Sequence, residues 1–114
     1  MLISVFLEKL AAQAEHVSFT DTMSVIAENY EFTETAFSNG QQINQAGENS
    51  GSCQLFSFAK LQEFNESQTL ACFGAYYRDD VLKHPDANDH QNIRQFMACG
   101  WQGILFSKAA LTAK

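Results

Sequence analysis

Residues 73–101 read FGAYYRDDVLKHPDANDHQNIRQFMACGW, and this stretch contains four Asp, two of the three His, both Arg and the only Pro of the chain. Pro85 lacks a backbone N–H, and its ring biases His84 away from the helical region. Apolar residues recur at helical spacing on both sides of this proline. The stretch therefore predicts two helices that meet at a turn around Pro85, with many ionisable groups beside that turn.

The helix before the turn is predicted to begin at Asn65. Asn65 and Gln68 have the spacing of a capping box, in which each side chain accepts a hydrogen bond from the other residue's backbone N–H. Leu70, Phe73 and Tyr77 then fall on one apolar stripe, which indicates that the helix continues toward the turn.

The helix after the turn is predicted to be capped by Asn88 or Asp89, since both residue types accept hydrogen bonds from free N–H groups at a helix start. Gly100 suits its C-terminal end. The spacing places the following residues on one side of this helix: His90, Ile93, Met97 and Trp101.

Three more helices are predicted before this stretch. The first spans residues 2–14, and the second follows a capping box formed by Ser18 and Asp21. The third is capped by Ser52. A strand is the alternative for the third segment, because its aromatic residues also alternate.

A small antiparallel sheet is predicted from three short segments. Residues 30–37 are rich in Thr and aromatic side chains, and Phe32, Glu34 and Ala36 occupy alternate positions that would share one face of a strand. Asn39 and Gly40 tolerate the backbone of a tight turn, which suggests a hairpin into residues 41–44. Residues 103–107 form a further strand that pairs with this hairpin.

These elements place the chain in the α+β class. We expect a helix-rich single domain over residues 1–114, with about five helices and a small antiparallel sheet. The apolar fraction of 46%, with ten Phe, is sufficient for a core without metal or disulfide support.

The charge balance argues against nucleic acid and membrane surfaces as partners. Seven basic and thirteen acidic residues give a formal net charge of −6, which repels phosphates and anionic lipids. The N-terminal residues lack the basic region of a signal peptide. Glu8 and Lys9 interrupt their apolar run before it is long enough to span a membrane. Three widely spaced cysteines predict free thiols in a reducing compartment, so we expect an acidic, soluble protein of the bacterial cytoplasm.

The first candidate site is a metal or general acid–base site near the turn. Carboxylates and imidazoles bind metals and move protons, and six such residues occur in a short stretch: Asp79, Asp80, His84, Asp86, Asp89 and His90. Of these, Asp79, Asp80, His84 and His90 are the metal candidates. Their spacing matches no known metal motif, so solvated or capping carboxylates are the simpler interpretation.

The second candidate is a binding cluster in which an arginine beside tyrosine hydroxyls clamps a carboxylate or phosphate. Its members come from both sides of the turn: Tyr76, Tyr77, Arg78, Asp79, Asp80, His90, Asn92 and Arg94. The favoured alternative is structural, with Arg78 or Arg94 pairing with Asp79, Asp80 or Asp89 to hold the two helices together.

The third candidate is a thiol nucleophile at Cys53. A helix start lowers the pKa of a thiol, and Cys53 lies just after the predicted cap Ser52. With His90 and Asp89 or Asn92 downstream, the order is that of cysteine hydrolases. A buried structural thiol is the alternative.

Several blocks of the sequence resemble the HopJ type III effector family, and the resemblance covers nearly the whole chain. The blocks are SFTDTMSVI (18–26), AFSNG (36–40), GSCQLFSFAKL (51–61), FGAYYRDDVLKHP (73–85), DHQNIRQFM (89–97), GWQGILF (100–106) and LTAK (111–114). The resemblance implies a virulence protein that plant-pathogenic bacteria deliver into host cells through type III secretion, with a host protein as its target. It implies neither a cofactor nor a catalytic residue set.

The leading interpretation is an effector-like binding or interaction domain, as a monomer or small homo-oligomer. The alternative is a small enzyme, either metal-assisted or a Cys-dependent hydrolase, that uses the segment from Asp79 to His90 or Cys53. Because type III export signals are usually disordered and Ser-rich, the helical start of this chain also keeps open a non-secreted housekeeping role.

Overall fold

The computed structural model describes residues 1–114 and confirms a helix-rich α+β fold. The five α-helices are α1 (Ile3–Ala12), α2 (Phe19–Asn29), α3 (Ser50–Leu61), α4 (Glu66–Ala71) and α5 (Gln91–Cys99). A π-helix spans Tyr76–Val81, and 3-10 turns span Ala14–His16 and Gly100–Gly103. The strands are β1 (Tyr30–Phe32), β2 (Phe37–Asn39), β3 (Gln42–Asn44), β4 (Ile104–Phe106) and β5 (Leu111–Ala113). No helix combines the length and the apolar character that a membrane crossing requires.

The strands form two small antiparallel sheets. One has the order β3-β2-β4, which confirms both the predicted hairpin and its pairing with the strand near residue 105. The other pairs β1 with β5, a strand that the sequence did not predict. The predicted strand over residues 30–37 is divided, since β1 ends at Phe32 and β2 begins only at Phe37.

Helix α3 lies at the centre of the core. Leu55, Phe56, Phe58 and Ala59 are all fully buried, so this helix is apolar around most of its circumference. The ring of Phe56 contacts four other aromatic rings, those of Phe37, Phe73, Phe96 and Trp101. The alternative of a strand at this segment is wrong, because Ser50–Leu61 form an α-helix.

Both predicted capping boxes are present. The Asp21 N–H donates to Ser18 Oγ over 3.0 Å, and the Ser18 N–H donates to Asp21 Oδ2 over 3.1 Å. Asn65 and Gln68 exchange the same pair of hydrogen bonds at 2.8 and 2.9 Å. These boxes fix the starts of α2 and α4.

The helix predicted to run through Tyr77 ends at Ala71. Gly74 interrupts it with a φ of +63°, a backbone that favours glycine. A Cβ on Gly74 would lie 2.7 Å from the Phe19 backbone nitrogen, so the chain bends here against the start of α2. Tyr77 consequently lies on the π-helix rather than on the stripe of α4.

The predicted caps of α3 and α5 are wrong. Helix α3 begins at Ser50 after Asn49, and Ser52 lies inside its first turn. Helix α5 begins after His90, without a side-chain cap from Asn88 or Asp89. The buried face of α5 carries Asn92, Ile93 and Phe96, whereas Met97 is exposed and Trp101 lies beyond the helix end.

Asn39 is a strand residue, although the sequence predicted it in a turn. It is fully buried in β2, and its strand partner is Gln42. Gly40 alone adopts the positive φ of +58° that the tight turn requires.

Candidate functional site

The first turns of α3 and α5 meet at a concave site that we call the helix-start pocket. It has a volume of about 460 Å³, within the range of small-ligand sites. Phe19, the first residue of α2, and Tyr76, the first residue of the π-helix, contribute aromatic walls. The polar lining comes from Gln42, Asn49, Ser52, His90, Gln91 and Asn92.

Neither α3 nor α5 is capped by a side chain at this pocket. The residues before them, Asn49 and His90, adopt left-handed backbones with φ of 50° and 49°, where an N-cap residue is normally extended. The first N–H groups of a helix have no partner within it. The pocket is therefore lined by two helix starts whose free N–H groups and positive dipole ends are available to a partner.

The charge of the pocket differs from that of the whole chain. No Asp, Glu, Lys or Arg lines it, although the chain carries thirteen acidic residues. His90 lies at its edge, where Nε2 is 3.1 Å from Asp80 Oδ2. The His90 ring packs 5.3 Å from the ring of Tyr76, which in turn meets Phe19 edge-on at 5.3 Å. The result is an aromatic-edged site whose lining contains no carboxylate, ammonium or guanidinium group.

A network of asparagine side chains lies beneath the pocket. Asn92 Oδ1 accepts hydrogen bonds from the side-chain amides of Asn39 and Asn44, each over 3.2 Å. Asn44 Oδ1 accepts from Asn92 Nδ2 at 3.0 Å and from Asn49 Nδ2 at 2.7 Å. The network ties β2 and β3 to the residues where α3 and α5 begin, and it holds the pocket floor in one arrangement.

Sequence reasoning missed Asn39 and Asn44 as supports of the site. Each lies on a strand of three residues, where no periodicity distinguishes an inward polar side chain from an outward one. Asn39 Oδ1 also has no hydrogen-bond partner despite its burial. The only signal in the sequence was an asparagine in each of the two short hairpin segments.

Arg94 closes the turn around Pro85, as the structural interpretation predicted. Its guanidinium donates to Asp89 Oδ1 at 2.7 Å, to the Asp89 carbonyl at 2.6 Å and to the Pro85 carbonyl at 3.3 Å. The hydrogen bond from Arg94 holds the pKa of the Asp89 carboxyl below its usual range. The Arg94 guanidinium therefore donates its hydrogen bonds within the turn that it closes.

Arg78 does not pair with a carboxylate. It donates instead to the carbonyl oxygens of Ala14 at 3.3 Å and Val17 at 2.8 Å, and so joins the π-helix to the segment between α1 and α2. Asp79 pairs with Lys83 on the surface at 3.1 Å. Of the predicted binding residues, Tyr76, His90 and Asn92 line the helix-start pocket, whereas Tyr77, Arg78, Asp79, Asp80 and Arg94 do not.

The candidate metal residues do not converge. His84 and Asp86 are exposed on the turn, and no group of three or more His, Cys, Asp or Glu side chains is arranged to hold a metal ion. His90 approaches Asp80 and, at 3.9 Å, Asp89, which makes an ion pair when the imidazole is protonated. The arrangement favours hydrogen bonding over metal ligation.

Cys53 is fully buried, and its thiol approaches the Thr35 carbonyl at 3.5 Å. Burial raises the pKa of the Cys53 thiol, which is the opposite of the effect predicted from its place near a helix start. Burial likewise raises the pKa of Cys72 to about 12. Neither thiol has the accessible, electropositive surroundings of a nucleophile.

Comparison with known proteins identifies one family. The family model described as HopJ type III effector protein matches residues 3–111. A crystal structure described as that of the unknown function protein VPA0580 superimposes with a TM-score of 0.98 at 54% identity, covering 100% of this chain and 95% of that one. No curated protein matches the sequence significantly.

Proposed function

The chain belongs to the HopJ type III effector protein family, and we propose that it is an interaction protein that binds a host partner through the helix-start pocket. The observation that carries this proposal is the pairing of two uncapped helix starts in one concave site without carboxylates. The partner contributes hydrogen-bond acceptors to the two open helix starts, whose first N–H groups have no partner within the helix.

Three α-helices, α1, α3 and α5, begin without a side-chain cap, and two of the three line the pocket. Helices α2 and α4 satisfy their first N–H groups with capping boxes. Helices α3 and α5, which line the pocket, do not. A hydrogen bond from each open start to a partner contributes about 0.5–1.5 kcal/mol, and Phe19 and Tyr76 add apolar contact area.

Backbone strain at the pocket also supports a binding site there. Left-handed backbones at residues other than glycine cost about 1–2 kcal/mol each, and Asn49 and His90 are two of the three such residues in the chain. Such conformations persist where the surroundings enforce them, and they concentrate at functional sites. The asparagine network supplies that enforcement at Asn49.

A thiol-dependent or metal-assisted enzyme is the second candidate, and the geometry supports it less. Cys53 is buried with a raised pKa, and it does not line the pocket that holds His90. A nucleophile and its general base need to lie within hydrogen-bond reach of one another and of substrate.

The binding proposal is tested by site-specific photocrosslinking in an extract of host cells. A photoreactive amino acid at Gln91, on the pocket wall, is expected to give a defined adduct that Ser52→Trp abolishes by filling the pocket. Ser67→Trp on the exposed surface of α4 is the matched control and should leave the adduct unchanged. An adduct that survives Ser52→Trp, in a variant with an unaltered circular dichroism spectrum, would contradict the proposal.

Delivery from the bacterial cytoplasm into a host cell belongs to the same proposal and is tested separately. The full chain fused to a translocation reporter should reach host cells from a type III-competent strain and remain in the bacterium when the secretion ATPase is absent. Retention in both strains would favour the housekeeping alternative, and it would leave the pocket to serve a bacterial partner.

A further inference from the structure

A second groove lies between the C-terminal end of α3 and the segment that joins β4 to β5. Its volume is about 590 Å³, and it shares no residue with the helix-start pocket. Apolar side chains form most of its wall, chiefly Leu61, Phe106, Ala110 and Leu111. We call it the lysine groove, because Lys60 and Lys108 also line it.

These two lysines differ from every other basic side chain of the protein. Of the seven Lys and Arg residues, five bind a carboxylate or a backbone carbonyl. Lys60 and Lys108 have no such partner, and both lie at the same groove. The Lys60 ammonium instead lies 5.7 Å from the centre of the Phe106 ring, on the groove wall. Both lysines are exposed, and they give this apolar groove two positive charges in a chain with net charge −6, which favours an anionic ligand over a cationic one.

A buried hydroxyl lines the same groove without a nitrogen or oxygen partner. Ser57 is 5% exposed, and its Oγ is closed to solvent. The hydroxyl makes a weak contact with the Cys53 thiol and lowers the pKa of that thiol, whereas burial has the larger, opposite effect. A rotation of the Ser57 side chain toward the groove would replace this contact with a stronger hydrogen bond to a ligand oxygen. Ser57 and Lys60 are three residues apart on α3, so their side chains share one face of the helix.

We propose that the lysine groove binds a small aliphatic monocarboxylate. Lys60, Lys108 and the Ser57 hydroxyl hold the carboxylate, and the aliphatic body lies along Leu61, Phe106 and Leu111. Charge complementarity selects a single negative charge, because Glu63 also lines the groove and reduces its net charge from two positive units to one. A phosphate monoester, with about −1.5 to −2 charges, is therefore disfavoured. The volume fits a small molecule of this kind.

Octanoate is the probe, titrated into the ¹⁵N-labelled full chain and followed by NMR. We expect amide shifts at Ser57, Lys60, Phe106 and Lys108, and none at His90 or Ser52. Lys60→Met and Lys108→Met should each weaken binding by about threefold, and together by about tenfold, while Lys83→Met on the surface has no effect. Glu63→Gln should tighten binding by about threefold, because it removes the opposing charge.

Ser57→Ala separates a ligand contact from a structural role. It removes a buried hydroxyl whose contact with the Cys53 thiol is weak, so the thermal midpoint of the free protein should change little, yet octanoate affinity should decrease by about threefold. Unchanged affinity in the double lysine variant, or equal binding of octylamine, would overturn the proposal. Tighter binding of octyl phosphate would overturn the monoanion preference, and tighter binding of an apolar tripeptide with a free carboxyl end would overturn the small-molecule assignment.

Discussion

Glu63 occupies a backbone position that glycine normally fills. It follows α3 with a φ of +58°, and its N–H donates to the Lys60 carbonyl at 3.1 Å while the Phe64 N–H donates to the Ala59 carbonyl at 2.9 Å. These two hydrogen bonds form the Schellman motif that commonly ends helices, in which the left-handed residue is usually glycine. The side chain of Glu63 is thus retained at a cost in backbone strain.

Glu63→Gly is expected to raise the free energy of unfolding by about 0.5–1 kcal/mol. Relief of left-handed strain contributes about 1–2 kcal/mol, and the greater chain entropy of glycine in the unfolded state offsets part of it. Urea unfolding at neutral pH measures the difference. Glu63→Gln keeps the strain and removes only the charge, so a gain of equal size in this control would contradict the backbone explanation.

Asp21 makes stability depend on acid pH. The hydrogen bond from Lys9, at 2.8 Å, is the main cause that holds the pKa of the Asp21 carboxyl below its usual range, and the backbone and hydroxyl of Ser18 lower it further. A carboxyl whose pKa is depressed by folding stabilises the protein above its unfolded pKa, near 4, and this contribution disappears as the pH falls through the folded value.

Asp21→Asn keeps an acceptor for the Ser18 N–H but removes this titration. We therefore expect the wild type to exceed the variant in free energy of unfolding at pH 7, and the difference to shrink as the pH falls below about 4. Urea denaturation at pH 7, 4 and 2.5 measures it. Asp86→Asn, at an exposed carboxylate without a partner, should show a difference near zero throughout; an Asp21 difference that stays constant with pH would rule out the linkage.

At the scale of elements, Gly74 fixes how the chain passes from α4 to the π-helix. Gly74→Ala should lower the free energy of unfolding by about 2–4 kcal/mol, because it combines left-handed strain with a Cβ contact of 2.7 Å to the backbone of Phe19. The backbone of α2 cannot move away from this Cβ, whereas a side chain could do so by rotating. Thermal unfolding of the variant measures the loss.

Gly47→Ala is the matched control for this substitution. Gly47 also has a positive φ, +89°, but a Cβ there meets only the flexible side chain of Glu34, at 3.3 Å. Gly47→Ala should lower the free energy of unfolding by the strain alone, about 1–2 kcal/mol. Equal losses in the two variants would mean that the approach of Gly74 to α2 contributes nothing.

The elements differ in how far the sequence predicts them, and the range of their contacts explains the difference. The capping boxes at Ser18 and Asn65 were predictable, since both partners lie within three residues. Asn39 was not, because its partner Asn92 lies 53 residues away. Arg78 was misassigned for a related reason: its acceptors are backbone carbonyls, which carry no mark in a sequence.

In the candidate site, too, the residues that are close in sequence were predictable and those from distant segments were not. His90, Tyr76 and Asn92 were identified from local composition, and they do line the helix-start pocket. The walls supplied by Phe19, Gln42 and Ser52 come from distant segments that only the tertiary fold brings together. Left-handed caps at Asn49 and His90 were also hidden, because a sequence shows which residues tolerate such a backbone and not which residues adopt it.

At the scale of the whole molecule, one aromatic cluster joins elements that are far apart in sequence. The Phe56 ring in α3 meets rings from β2, from the segment after α4, from α5 and from the 3-10 turn that holds Trp101. Both candidate binding sites involve α3, since its first turn lines the helix-start pocket and its last turn lines the lysine groove. The stability of this helix therefore bears on both.

Phe56→Ala is expected to lower the free energy of unfolding by about 3–5 kcal/mol, a large part of the roughly 5–15 kcal/mol available to a domain of this kind. Phe56 is fully buried, and alanine would leave a cavity against four rings that surrounding side chains cannot refill. Leu105→Ala, at a site that is 70% exposed, is the control and should change the free energy by less than about 0.5 kcal/mol. Because the cluster spans the molecule, loss at Phe56 should shift the Trp101 fluorescence transition and the far-ultraviolet circular dichroism transition together. Separation of the two transitions in the variant would show that the regions around Trp101 and the remaining helices unfold independently, and that α3 does not couple them.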